Sequence, residues 1–131
     1  MMPVVYINCS GTPFLRDIMR RRKLDETRTR DTLRAVTGVR VYLAETGNGP
    51  AVVRCMATIH PGRRIESLRQ WRALRSRTRV PVGSRYDWKP GTIVKWAYAV
   101  ADVVPVTPFL LPSDAVRHGR VWAEYNEQEE K

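Results

Sequence analysis

The chain has 131 residues, enough for one apolar core and too few for two, so one domain over residues 1–131 is expected. Its 23 Lys and Arg against 13 Asp and Glu leave a net charge of +10, which suits a polyanion such as nucleic acid better than an acidic protein. Cys9 and Cys55 are too few and too distant for a disulfide framework or metal cluster, and no apolar run approaches the roughly 18 residues of a membrane span. Reduced thiols, a cytoplasmic address, no membrane, no metal and no cofactor follow as expectations.

In chain order, residues 4–8 (VVYIN) form an apolar, β-branched run closed by Ser10 and Gly11, and predict a buried strand. Thr12 before Pro13 reads as an N-cap with proline at the first helical position. Phe14, Leu15, Ile18 and Met19 then recur at helical spacing, predicting a helix of about ten residues. It runs into four consecutive cations, Arg20, Arg21, Arg22 and Lys23. The first three complement the negative end of a helix dipole and so have an ordinary structural role.

Beyond them Glu26, Arg28 and Arg30 occupy alternate positions, the spacing that puts side chains on one face of an extended strand. An extended path to Arg30 would gather these three beside Lys23. Residues 31–33 predict a turn or short helical wind. Val39, Val41 and Leu43 alternate with polar residues up to Glu45, which falls on the apolar parity at a strand end. Residues 46–50 (TGNGP) are a tight turn, and Val53, Cys55, Ala57 and Ile59 make the returning strand.

Residues 61–64 break the pattern. Residues 66–76 return to helical spacing through Leu68, Trp71 and Leu74, with Arg69, Arg72 and Arg75 in a basic run continued by Arg77 and Arg79. The loop over residues 80–91 places Tyr86, Asp87 and Trp88 among prolines and glycines, and loops that carry aromatics are often functional. Residues 92–106 predict a long strand covered on both faces, with small residues on one side, as in a curled sheet or small barrel. PVTPFLLP reads as a loop, residues 117–125 as one closing strand, and residues 126–131 as an acidic tail.

This order of elements resembles the ASCH family of the PUA-like superfamily. The family signature Gly-x-Lys-x-x-Glu-x-Arg is matched at Lys23, Glu26 and Arg28, with Arg21 standing where the glycine is expected. VRVYLAETGNG is similar to the family's second strand and hairpin, and KWAYAVADVVPV to its late barrel strand. The resemblance implies an α+β fold, a small β-barrel of mostly antiparallel strands with two or three flanking helices. It further implies a pocket lined by the signature residues and an association with RNA or modified nucleosides. Some members hydrolyse the acetyl amide of an acetylated cytidine with the signature Lys, a Thr at the position of Glu26, and a further Glu. This chain has a carboxylate in place of that hydroxyl, and Glu45 is a loose candidate for the further acid.

The chemistry open to the cluster is twofold. A charged Lys23 beside Arg28 grips a phosphate or an acyl oxygen, with Arg30 a further binding candidate, whereas a neutral Lys23 acts as base or nucleophile; in a hydrolase Lys23 and Glu26 form the acid/base pair. Glu26 also suits the exocyclic amine of a base. Tyr86 and Trp88 are stacking candidates, worth roughly 1 to 3 kcal/mol per base, and His118 is a candidate for the pocket edge. The expected function is binding of RNA or a nucleotide in a basic cleft centred on Lys23, Glu26 and Arg28. The alternatives are a small metal-independent hydrolase, acting on an acylated nucleoside or on RNA, and a protein-interaction module.

Overall fold

A computed structural model describes residues 2–126, so the expected acidic tail lies outside the described residues except for Asn126. The first strand, β1 (Met2–Asn8), is covered on both sides, which is why Val4, Val5, Tyr6 and Ile7 are all buried. Val5 and Ile7 join one apolar cluster, and Val4 and Tyr6, on the opposite face, join a second. Burying each such aliphatic side chain contributes about 1.5–3 kcal/mol.

Helix α1 (Phe14–Met19) is shorter than its periodicity suggests. Pro13, not Thr12, takes the cap position, with φ −90° and ψ 48°, and no side chain caps the helix. Thr12 Oγ1 is buried without a hydrogen-bond partner among the described residues. The other end is set by Arg21 at φ 59°, in the left-handed region. There Arg21 N donates to Ile18 O at 3.0 Å and Arg22 N to Asp17 O at 2.8 Å, a Schellman closure that turns the chain out of the helix.

Strand β2 (Asp25–Arg28) is only four residues long. The extended path expected to reach Arg30 stops at Arg28, and Arg30 is exposed in the bend beyond. After a 3-10 turn at Arg34–Val36, β3 (Arg40–Thr46) and β4 (Val52–Ile59) form the expected hairpin. Val53, Cys55, Ala57 and Ile59 all face inward, whereas Val39 precedes the strand and is 49% exposed. Cys9 and Cys55 are free, buried thiols.

The break expected at residues 61–64 contains a strand, β5 (Arg63–Ile65). Residues 66–76 are not one helix: α2 (Leu68–Ala73) and α3 (Arg75–Thr78) meet at Leu74. Leu68, expected to face inward, is exposed, while Trp71 is fully buried. The longest strand, β6 (Lys95–Leu110), starts later than its pattern suggests, leaving Ile93 79% exposed, and continues through the PVTPFL stretch expected to be loop. The expected closing strand is a hairpin of β7 (Val116–His118) and β8 (Trp122–Tyr125), reversed at Gly119.

One mixed sheet results, ordered β2-β6-β4-β3-β1-β8-β7, with β5 paired to β6. The β1–β3 pair is parallel and the others are antiparallel. β6 curls it into a half-barrel: residues 96–99 pair with β2, residues 95–97 with β5, and residues 100–110 with β4. Extra residues bulge out of β6 between its pairings with Thr58 and Met56, and Asp102 there has φ 53°. The architecture is α+β, as expected.

Candidate functional site

The turn after α1 determines where Lys23 lies. Both Arg22 N and Lys23 N donate to Asp17 O, and Leu24 N donates to Arg77 O at 2.8 Å, so the chain is pinned on both sides of the lysine. Lys23 is 1% exposed. Its Nζ donates to the Thr78 carbonyl at 2.6 Å, lies 4.5 Å from the centre of the Phe14 ring, and is 3.9 Å from Glu26 Oε1. Burial lowers its pKa below the ordinary lysine value, and the charges of Glu26 and Asp25 only partly restore it.

Glu26 and Arg28 alternate on β2 and therefore share a face, where Arg28 Nε donates to Glu26 Oε2 at 3.1 Å. Arg28 Nη2 reaches across to the carbonyl of Tyr6 at 2.7 Å, tying β2 to β1. Asp25 has the opposite parity and is fully buried, held by Arg63 at 2.6 Å and by two bonds from Arg77 at 2.9 and 3.0 Å. The strand thus carries one carboxylate toward the site and one into a structural clamp.

Lys23, Glu26 and Arg28 line a cavity of about 680 Å³ together with Tyr6, Phe14 and Tyr86. Lys95 adds a second buried lysine, Arg85, Arg117 and Arg120 complete its cationic wall, and Glu26 is the only carboxylate among the described lining residues. Lys95 is buried, which lowers its pKa against the opposing charge of Asp87, and its Nζ donates to the Tyr86 carbonyl at 3.0 Å. Oε1 of Glu26 has no donor within hydrogen-bonding distance among the described residues, leaving an acceptor at the cavity floor. Among the described residues no group of three or more His, Cys, Asp and Glu could hold a metal ion, and none of the helices is long and apolar enough to cross a membrane.

No family model matches the sequence, and no curated protein matches it. Solved structures do. ASCH from Zymomonas mobilis aligns with a TM-score of 0.67 at 20% identity, over 84% of this chain and 73% of that one. A serine-to-alanine variant of the same organism's ASCH protein gives 0.73 at 17% identity, over 96% of this chain and 89% of that one. A tyrosine-to-phenylalanine variant gives 0.66 at 20% identity, over 84% and 76%. The chain has the ASCH fold.

Within this ASCH fold four of the residues singled out in the sequence, Lys23, Glu26, Arg28 and Tyr86, meet around one cavity, and four do not. Arg30 lies past the end of β2 and is exposed. Glu45 is drawn to another face by Arg54 at 2.7 Å and Asn48 at 3.3 Å, which hold its carboxyl below the ordinary value. Trp88 packs on the core 6.3 Å from Trp71. His118 stacks on Trp122 at 4.1 Å and bonds Glu124, while its neighbours Arg117, Gly119 and Arg120 line the cavity.

Tyr6, Lys95, Arg85, Arg117 and Arg120 also line the cavity and are not among the residues singled out in the sequence. Lys95 carried a signal: a lone cation opening an apolar strand has to find polar partners inside. The Arg-His-Gly-Arg turn carried another, two arginines flanking a reversal, but only the β7–β8 hairpin aims them at the cleft.

Proposed function

We propose that this protein binds RNA, or a nucleotide from it, in the cleft floored by Lys23, Glu26 and Arg28. The observation that carries this reading is the charge of the concavity, six cations around one carboxylate among the described lining residues. A cavity of about 680 Å³ suits one small-molecule-sized unit. A duplex keeps its bases paired and stacked and offers none to such a space, whereas an unpaired base can be splayed into it. Oε1 of Glu26 accepts from the exocyclic amine of the base, Arg28 holds that carboxylate in place, and the charged wall takes the backbone. Tyr86 supplies one stacking surface; Arg85 lies 4.9 Å over its ring and Phe14 meets it edge-on at 5.3 Å, so the base uses what these leave open.

The test is titration of labelled single-stranded RNA at rising salt. Binding whose logarithmic affinity falls with a slope of about −0.7 per neutralised phosphate, and which Arg28→Ala and Glu26→Gln weaken, supports the reading. Salt-independent or absent binding removes it.

A second reading is favoured by one observation, the lowered pKa of Lys23 beside a carboxylate. In a hydrolase of an acylated nucleoside, Glu26 takes a proton from water as the hydroxyl attacks the carbonyl, and the Lys23 ammonium protonates the leaving amine. Turnover of N4-acetylcytidine or RNA, lost in Lys23→Ala with the fold intact, supports it. No turnover over a substrate panel excludes it.

A further inference from the structure

The cations of the cleft separate by depth. Lys23 and Lys95 are buried at the floor, whereas Arg85, Arg117 and Arg120 are exposed at the mouth. Both ends of Tyr6 mark this separation. Its backbone carbonyl accepts from Arg28 at 2.7 Å and its hydroxyl accepts from Arg117 at 2.6 Å, so floor and rim guanidiniums meet opposite ends of one residue. On the loop side, Arg85 donates to the Tyr86 hydroxyl at 2.6 Å.

These bonds orient the rim arginines and use little of their capacity. A guanidinium has five N–H donors, and one from Arg117 and one from Arg85 go to tyrosine hydroxyls. The Arg120 side chain has no partner among the described residues. None of the three makes an ion pair there, although Arg54, Arg63, Arg64, Arg75 and Arg77 all do. Glu124, the carboxylate on the adjoining strand, is engaged by His118. Unpaired arginines occur elsewhere on the surface, but these three line a concavity that holds Glu26 at its base. Forked donors without a protein acid, converging from a loop and a hairpin, suit the oxygens of a phosphate.

We infer that Arg85, Arg117 and Arg120 form a phosphate subsite at the mouth of the cleft, so that the ligand is a phosphorylated nucleotide, free or as one unit of an RNA strand, and not a bare nucleoside. This rests on the reading of the floor as the place that takes a base. The floor reads the base and the rim reads the charge.

The experiment is calorimetric titration of the full chain with the common ribonucleosides, their 5′-monophosphates, inorganic phosphate and a short single-stranded RNA. Expected is a nucleotide that binds at least about tenfold more tightly than its nucleoside, a gap that closes in the Arg117→Gln, Arg120→Gln double variant. Arg120→Gln alone, which breaks no hydrogen bond or ion pair among the described residues, narrows the gap without touching the fold. Arg69→Gln with Arg72→Gln, on α2 away from the cleft, leaves it unchanged. Binding of the RNA but not of the free nucleotide, lost in the same rim variants, assigns the phosphate to a strand and also supports the subsite. Equal affinity for nucleoside and nucleotide overturns the subsite while leaving the base site standing. No binding of any probe overturns both.

Discussion

Lys23 Nζ donates to the backbone carbonyl of Thr78 at 2.6 Å, so the lysine at the floor of the cleft is fastened to the last residue of α3 more closely than to Glu26, 3.9 Å away. A carbonyl dipole and a carboxylate at that distance offset part of the desolvation of an ammonium, and burial remains the larger influence. The site therefore holds its lysine charge under strain.

That strain gives stability a definite pH dependence. Since the folded-state pKa of Lys23 lies below the ordinary 10.5, the unfolded chain holds the proton more tightly over the interval between the two. The penalty is present in full below the folded value and is relieved as pH rises through it toward 10.5, so stability rises over that window. Each tenfold weakening of the proton's hold corresponds to about 1.4 kcal/mol. Lys23→Met removes this increment. Urea midpoints measured from neutral pH upward are expected to show a gain in the parent that the variant lacks; parallel profiles count against it.

Arg21 occupies a position that favours glycine. At φ 59° it bears a left-handed conformation costing an L-residue about 1 kcal/mol, and it recovers part of that through the bond from Nη2 to Val100 O at 2.9 Å. Arg21→Ala and Arg21→Gly both lose the bond, but only alanine retains the strain. Chemical denaturation is expected to place Arg21→Ala below Arg21→Gly by about 1 kcal/mol. Equal stabilities would show that the turn relaxes.

Much of this was legible in the residues. The alternation of Val53, Cys55, Ala57 and Ile59 recorded a face that is buried throughout, and the spacing of Glu26 and Arg28 recorded their shared face. The misses have a common cause: tertiary partners overrode local pattern. PVTPFL reads as loop because prolines give no ladder donor, yet bulges let β6 carry them. Arg63 to Ile65 look irregular alone and become a strand only because β6 offers an edge. Glu45 falls on the apolar parity of its strand, but nothing local names Arg54, the partner that draws it to another face.

Asp25 has no solvent exposure and two arginines, which predicts non-additive substitutions. Losing Arg63 leaves the bidentate Arg77, and losing Arg77 leaves Arg63 at 2.6 Å, so each single alanine costs about 1 kcal/mol. Losing both strands a buried carboxylate, a cost of about 3–5 kcal/mol. A double-mutant cycle in urea is expected to give a coupling of at least about 1 kcal/mol. Simple additivity would mean that the carboxylate escapes to solvent.

Asp87 holds the loop that delivers Arg85 and Tyr86 to the cleft. Its Oδ1 accepts from Trp71 Nε1 at 2.7 Å, from Trp88 N at 2.8 Å and from Arg75 Nη2 at 3.2 Å, while Oδ2 accepts from Gly83 N at 2.7 Å. Burial pushes its pKa up, but these bonds together pull it well below the usual aspartate value. For a depressed carboxylate the stabilisation is complete above the ordinary 3.8 and is lost as pH falls below it. Asp87→Ala leaves the buried Trp71 N–H without its acceptor and frees the loop, costing about 1–3 kcal/mol. Because Trp71 and Trp88 flank the carboxylate, tryptophan emission is expected to shift to the red in the variant at neutral pH, and in the parent only in acid. Ligand affinity falls with it, since Arg85 and Tyr86 lose their support. An Asp87→Ala protein with unchanged emission and binding would show that the loop is held by its apolar contacts alone.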